Sequence, residues 1–329
     1  MRLRTLLALA TALATLLAAS ACASSTTPAT PAANATAPLP DHVLVGQAAE
    51  PARSGVYDDS CDPGASFRPP AQLPTPGNMP AGSTMARIQG VGHLTVGVDQ
   101  NTYLFGYRNP ATGQIEGFDI DLARQVAKAI FGDPNRVQFR VITNAQRIPA
   151  LTSGQVDMVA HSMTMHCDRW RQVAFSTAYL SVGKRLLVRA GSGISGIADL
   201  AGRRACAATG SSGVQAIVNA SSDPIPVVAP NWTDCLVMLQ QNQVDAVVSD
   251  TGVLTGLLNQ DPGSRIVGPT FEQDLYGLAF NRDQTDLVRF VNGVLERIRA
   301  DGTWTAEYDR WLLAGFRTPG EPPPLRYRD

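Results

Sequence analysis

The 329-residue chain reads as an α/β protein of two similar lobes. Three observations predict this. From about residue 92 onward, short apolar strand candidates alternate with helical patterns, the rhythm of parallel sheets flanked by helices. The stretch Leu151…Gln155-Val156-Asp157-Met158-Val159 is echoed at identical spacing by Leu239…Gln243-Val244-Asp245-Ala246-Val247, each copy reading as helix, turn and buried strand. Two extended runs, residues 183–189 and 275–281, lack helical periodicity and join the halves as hinge strands.

The N-terminus comes first. Arg2 and Arg4 precede an uncharged, mostly apolar run from Thr5 to Ala19, and Ala19-Ser20-Ala21-Cys22 reads as a small-residue cleavage site ending in cysteine. This is the pattern of a bacterial secretory signal of the lipoprotein type, and its apolar run is too short for a transmembrane helix. An ordinary signal peptide with an incidental cysteine is the alternative. Residues 1–21 are thus expected to be a signal peptide and residues 22–40 a tether lipidated on Cys22. The tether is rich in Ala, Thr, Ser and Pro, and cannot bury a core. Residues 41–90 are still rich in Pro and Gly yet hold Val56, Cys61 and Phe67. They are expected to form an irregular strap on the globule.

Residues 94–98 are the first strand. Gly117-Phe118-Asp119-Ile120-Asp121-Leu122 then leads into an amphipathic helix whose apolar face is Leu122, Val126, Ala127 and Ile130. Asp119 and Asp121 stand at the positive end of its dipole. A strand at 137–141, a short helix from Arg147 to Ser153 and a strand at 156–160 complete the first set. The set returns as a strand at 204–208, a helix from Ser212 and a strand at Val227-Val228. The echo aligns Ser162 with Asp250, each just past the carboxyl end of its strand, where open α/β sheets bind ligands. The two residues should face each other across one cleft. An amphipathic helix bearing Leu287, Phe290, Val291, Val294, Leu295 and Ile298 returns to the first lobe. Trp304, Tyr308 and Trp311 follow on a short helix as packing residues. The expected boundaries are residues 91–183 and 278–329 for the first lobe and residues 184–277 for the second.

Basic and acidic residues number 27 and 28 and are scattered, which leaves no electrostatic case for nucleic acid. Beyond Cys22 the chain holds Cys61, Cys167, Cys206 and Cys235. In an oxidising compartment four cysteines suggest two disulfides in any of three connectivities. Cys206 and Cys235 share one half, and pairing them leaves Cys61 with Cys167. No C-x-x-C spacing is present, so no metal is expected.

The segment from Gly117 to Ile130 resembles the signature of family 3 extracytoplasmic solute-binding proteins, the amino-acid receptors of ABC importers. The likeness covers roughly residues 90–315, and the whole sequence resembles actinobacterial GlnH-type glutamine/glutamate-binding lipoproteins. It implies a type 2 periplasmic-binding fold, with a ligand cleft between two α/β lobes. Ser162 to Arg169 is similar to the family's carboxylate-binding segment, with Ser162, Thr164 and Arg169 in its positions. Ala208-Thr209-Gly210-Ser211-Ser212-Gly213 is a small-residue anion nest. It resembles the second-lobe loop that meets an α-carboxylate, and it offers Ser211 and Ser212. Asp250 matches the ammonium-binding aspartate, with helix N-capping as its other reading. Arg147 lies in a segment that resembles the Asn-Arg-Ile-Pro runs of glutamate/aspartate receptors, at a helix start where the dipole repels a cation. A solvated surface arginine is its plain alternative. Asp99 and Phe105 lie in the first loop, where family members stack ligand, and Asn231 and Tyr276 approach the second lobe's face.

The resemblance therefore implies an extracytoplasmic monomer, lipid-anchored to the cell membrane, that binds L-glutamate or L-aspartate, with glutamine and asparagine as neutral alternatives. Its implied partner is an ABC permease or a membrane sensor. No cofactor and no catalysis are expected. A dehydratase on the same fold is the enzyme alternative, but it needs a general acid or base in the cleft, and only the exposed-looking Glu116 lies near the signature. An interaction module with a vestigial cleft is the third reading.

Overall fold

The structure, a computed structural model, describes residues 38–46 and 60–329. The expected signal peptide, Cys22 and nearly all of the tether lie outside the described residues. None of the described helices is long and apolar enough to cross a membrane.

Two sheets organise the chain. The first runs in the order Val137–Val141, Leu94–Val98, Met158–Ala160, Ala279–Asn281, Val173–Phe175. The second runs Leu44–Val45, Ile225–Ala229, Arg204–Ala208, Ala246–Asp250, Leu180–Arg189, Ser264–Tyr276. Each contains three parallel strands whose first in sequence lies in the middle. The internal echo is thus a shared topology. It extends to single bonds: Asp157 accepts the Thr95 amide at 2.9 Å, and Asp245 accepts the Arg204 amide at 2.9 Å. In each lobe this aspartate ties the start of one parallel strand to its neighbour.

Helices cover both sheets. The Phe118–Phe131 helix buries Ile120, Leu122, Val126, Ala127 and Ile130, as its periodicity predicts, and Thr285–Ala300 buries Leu287, Phe290, Val291, Val294 and Ile298. The second sheet is apolar on both faces: Cys206, Leu187 and Val247 join one cluster, while Ala205, Leu186, Val188 and Val248 join another. That is the pattern of a strand set covered on both sides.

The lobes are joined by Leu180–Arg189 and Ser264–Tyr276, which pair antiparallel. The second expected hinge run, residues 275–281, is not one strand. It breaks at Gly277 and Leu278, and Ala279–Asn281 belongs to the first sheet. The chain changes sheets at that break. Residues 264–274 were not read as a strand because Gly268-Pro269 interrupts them. The ladder accommodates this with a register shift opposite Lys184 and Leu186.

The strap is more regular than expected. Leu44–Val45 pairs with Val227 and Val228, and Ala65–Ser66 pairs with Arg326–Tyr327. Thr84–Val91 is a helix, capped by the Ser83 hydroxyl accepting from the Ala86 amide at 3.1 Å. Only Met85 and Ile88 of this helix are buried, too few for a clear periodic signal.

The signature loop has a specific cause. The first turn of the Phe118–Phe131 helix lacks a side-chain cap. Its orphan amides are met by the preceding loop instead: Phe118 donates to the Leu104 carbonyl at 2.8 Å and Asp119 to the Phe105 carbonyl at 3.1 Å. Gly117 makes this approach feasible. Its φ is +138°, and a Cβ there would collide with the Phe105 carbonyl. Gly117→Ala is therefore expected to cost about 3 kcal/mol. A melting midpoint lowered on the order of 10 °C would show it; an unchanged midpoint would show that the loop gives way freely.

Candidate functional site

The site is built where the parallel strands end. In the first lobe, Met158–Ala160 runs into His161 and Ser162. Ser162 holds a φ of +43°, a costly conformation for a residue with a side chain. Asp119 holds it there, accepting the Ser162 amide at 2.7 Å and its hydroxyl at 3.2 Å, while Tyr179 donates to the other oxygen at 2.7 Å. Burial nevertheless pushes the Asp119 carboxyl up to about 6. In the sequence Asp119 reads only as a helix-start acid. It is the brace of the first wall.

Arg147 and Arg169 face the second lobe from this wall. Arg147 is buried, not a solvated surface residue. It donates to the Asn144 carbonyl at 3.0 Å, the His161 carbonyl at 3.1 Å and the Gly210 carbonyl at 2.9 Å. Arg169 donates to the Thr164 carbonyl at 2.6 Å and to the same Gly210 carbonyl at 3.1 Å. Burial first, then the charge of Arg169, brings Arg147 down to about 9, so it remains a cation at neutral pH. Thr164 and Ser212 meet hydroxyl to hydroxyl at 3.3 Å. The two walls therefore touch, with two guanidiniums aimed at one carbonyl of the small-residue turn.

The second wall carries the opposite charge. Asp250 ends its strand at the N-cap of Thr251–Gln260, yet its side chain makes no capping bond. Tyr276 donates to its Oδ2 at 2.7 Å, while Oδ1 is buried without a hydrogen-bond partner. Lys184 lies opposite Asp250 on one neighbouring strand and opposite Glu272 on the other. Its fully buried ammonium sits 2.9 Å from Glu272 and 3.0 Å from Asp274. Ser212 donates to Asp274 at 3.3 Å. Burial, then the charge of Asp274, holds the Asp250 carboxyl well above the usual carboxylate range. Asp274 lies below that range: burial opposes this, but Lys184 and the contact with Asp250 prevail.

His166, Glu272 and Asp274 bring ligand atoms within 4.8 Å of one another. Lys184 already supplies the cation to both carboxylates, and the grouping is an internal ion network. Burial, then Arg169, lowers His166 to about 3, so its ring is neutral. A cavity of about 930 Å³ opens beside this network, lined also by Asp62 and Arg326.

Four expected contact residues have other tasks. Asp99 folds its own loop, accepting the Gln100 amide at 2.7 Å, the Asn101 amide at 3.1 Å and the Thr102 hydroxyl. Asn231 caps the Trp232–Gln240 helix and binds Asp234 at 2.9 Å through its amide. Tyr276 braces Asp250. Phe105 is fully buried between Phe118, at 6.5 Å, and Tyr276, at 5.9 Å. Ser211 is the N-cap residue of Ser212–Val218, with a buried hydroxyl that makes no hydrogen bond. Lys184 and Asp274 were missed. In the run Val182, Lys184, Leu186, Val188, a lysine occupies a buried face at period two, the signal that could have found it.

The structure joins Cys61 to Cys167 and Cys206 to Cys235. The first bridge fastens the strap next to Arg169, where Trp170 also donates to the Pro63 carbonyl at 2.8 Å.

Comparison with known proteins fits this geometry. Residues 94–314 match the bacterial extracellular solute-binding proteins, family 3. The ABC transporter glutamine-binding protein GlnH of Bacillus subtilis is 34% identical over 230 residues, covering 70% of this chain and 84% of that protein. The glutamate-binding protein GluB of Corynebacterium efficiens is 31% identical over 229 residues, covering 65% and 76% respectively. Among solved structures, an ancestral arginine-binding protein bound to arginine aligns with a TM-score of 0.63 at 32% identity, covering 67% of this chain and 98% of that one. The chain belongs to family 3 of the bacterial extracellular solute-binding proteins, with their two-lobed type 2 periplasmic-binding architecture. These are non-catalytic extracytoplasmic receptors, and the dehydratase alternative falls away.

Lys184→Met tests the ion network. Removing the cation leaves the buried Asp274 and the half-buried Glu272 without a counter-charge, at a cost of about 3–5 kcal/mol. Asp274, held low in the wild type, stabilises the fold above its unfolded pKa and loses that contribution as pH falls. In the variant, burial without the cation pushes these acids up instead, and taking up protons relieves the cost, so the deficit should shrink as pH falls from neutral to about pH 4; the wild type's own contribution from Asp274 is lost only below that. Thermal melts across that range would show it; a deficit independent of pH would point to lost packing alone.

Proposed function

We propose that the protein captures an acidic amino acid, L-glutamate or L-aspartate, between its lobes. It then presents that ligand to an ABC permease or a membrane sensor. The observation that supports this reading most is the buried Arg147–Arg169 pair. Such a ligand carries two carboxylates and one ammonium. Two converging guanidiniums facing one acid-rich wall are its charge complement. Arg169, with Thr164, Ser162 and the Ser211–Ser212 turn, takes the α-carboxylate. Asp250 takes the ammonium, and Arg147 takes the side-chain carboxylate.

Relatives are named for glutamine, glutamate, histidine and arginine, so the family does not decide among them. Arg147 does. An arginine side chain would bring a third cation to the pair. A glutamine amide would leave a buried guanidinium without a counter-charge, which is costly. The extracytoplasmic placement agrees with the lipoprotein-type N-terminus, with Cys22 as the lipid anchor of a monomeric receptor of the GlnH type.

Titration calorimetry tests the ligand. Glutamate or aspartate is expected to bind near micromolar, roughly 8 kcal/mol, and ahead of glutamine and arginine. Arg169→Ala should weaken binding by about 2–5 kcal/mol, and Arg147→Met should turn the preference toward glutamine. Tighter binding of glutamine or arginine to the wild type would refute the acidic assignment.

Asp250 adds a pH signature. Its carboxyl is raised in the ligand-free protein by burial and by Asp274, and an ammonium beside it would bring it back down. Binding should release up to about one proton and strengthen as pH rises. Calorimetry in buffers of different ionisation enthalpy measures this directly, and a null proton count would place the ammonium elsewhere.

A further inference from the structure

We infer that Gly256, with Gly252 one turn earlier, is a closure residue: a side-chain-free seat on the second lobe that receives the first lobe's 101–105 loop when the cleft shuts. This rests on the reading of the cleft as a closing amino-acid site. The Thr251–Gln260 helix begins directly after Asp250. A Cβ on Gly256 would lie 2.5 Å from the Tyr103 carbonyl oxygen, and one on Gly252 would lie 2.7 Å from the Phe105 ring. Neither obstacle can step aside. Tyr103 sits between strands Asn101–Thr102 and Gly106–Arg108, which pair with each other, and the Phe105 ring is fully buried. The first lobe's C-terminal segment seats on the same helix: a Cβ on Gly315 would meet Thr255 at 2.6 Å.

Nothing else explains these glycines. Neither has a positive φ, so backbone conformation does not require them. Glycine inside a helix is costly relative to alanine, and positions four apart share a face. The sequence accepts that cost twice on one face, where the other lobe arrives. Gly90, in the Thr84–Val91 helix, is the contrast, because a Cβ there would meet nothing within 4 Å. The contact also has a consequence for the ligand. The loop that Gly256 seats also holds Phe105, which lies 5.9 Å from Tyr276 between ring centres, and Tyr276 is the donor that orients Asp250. Closure and the ammonium partner are thereby linked through one loop.

The test compares Gly256→Ala and Gly252→Ala with wild type and with Gly90→Ala. Small-angle scattering follows compaction without ligand and with saturating L-glutamate, calorimetry follows affinity, and melting follows the ligand-free fold. Reducing the closed population about tenfold should raise Kd about tenfold. Gly256→Ala should also keep a larger radius of gyration than wild type in whichever state the wild type is compact, with a ligand-free melting midpoint at or above wild type. Gly252→Ala should act in the same direction, and Gly90→Ala should change neither affinity nor compaction. The inference is overturned if Gly256→Ala compacts like wild type. It is also overturned if its ligand-free midpoint falls along with affinity, since the contact would then belong to the resting fold, or if the wild type is compact in neither state. Should the wild type compact yet bind none of the amino acids, the ligand assignment fails, while scattering still decides the role of Gly256.

Discussion

Like charges held together out of water set the terms for everything else in this molecule. Arg147 and Arg169 converge on one neutral carbonyl, that of Gly210. Burial and mutual repulsion oppose the arrangement, and Arg147 is brought down to about 9 as a result. A fold keeps such a conflict only where the surrounding structure over-determines it. Here the Cys61–Cys167 bridge, the Trp170 bond to the strap and the Asp119 brace on Ser162 all fix the wall from which these arginines project. The rigidity of the first lobe and the strain of its charges are parts of one arrangement.

The second lobe is its counterpart. Lys184 offsets part of the charge of Glu272 and Asp274, and the buried Asp250 beside them is held above the usual carboxylate range. Neither wall is electrostatically satisfied alone: one has cations facing carbonyls, the other more carboxyl groups than cations. An amino acid, which carries both signs of charge, can engage both walls at once. The free energy gained exists only when both walls touch it, which is the physical basis for binding shifting the lobes toward a shared closed form.

Much of this was legible in the sequence, and the exceptions have a pattern. Arg169, Thr164 and Asp250 could be placed because strand ends in parallel sheets face the crevice, and the two echoing segments marked two such ends. At Asp99 and Asn231 the same logic meets a second demand, since both serve local backbone and helix-end bonds. Strand and helix ends also need caps, and short polar side chains serve both tasks with the same atoms. Lys184 and Asp274 escaped because they lie on the connecting strands, where the eye looks for a hinge and not for charge. The Ser264–Tyr276 strand escaped because Gly268-Pro269 breaks its pattern, and the Thr84–Val91 helix because it buries too few side chains to show a period.

The covalent links respect the same division. Cys61–Cys167 spans 106 residues and joins the strap to the first lobe, while Cys206–Cys235 spans 29 residues inside the second. In the chain-entropy account each contributes roughly 3–5 kcal/mol by restricting the unfolded chain. Neither crosses between the sheets, so both gains are made without tying one wall of the cleft to the other. The crossing itself is left to Leu180–Arg189 and Ser264–Tyr276, whose ladder is interrupted opposite Lys184 and Leu186. The interruption falls beside the buried lysine that anchors the acidic wall. Stability is concentrated within the lobes and compliance between them, which a receptor that must close on its ligand and later release it requires.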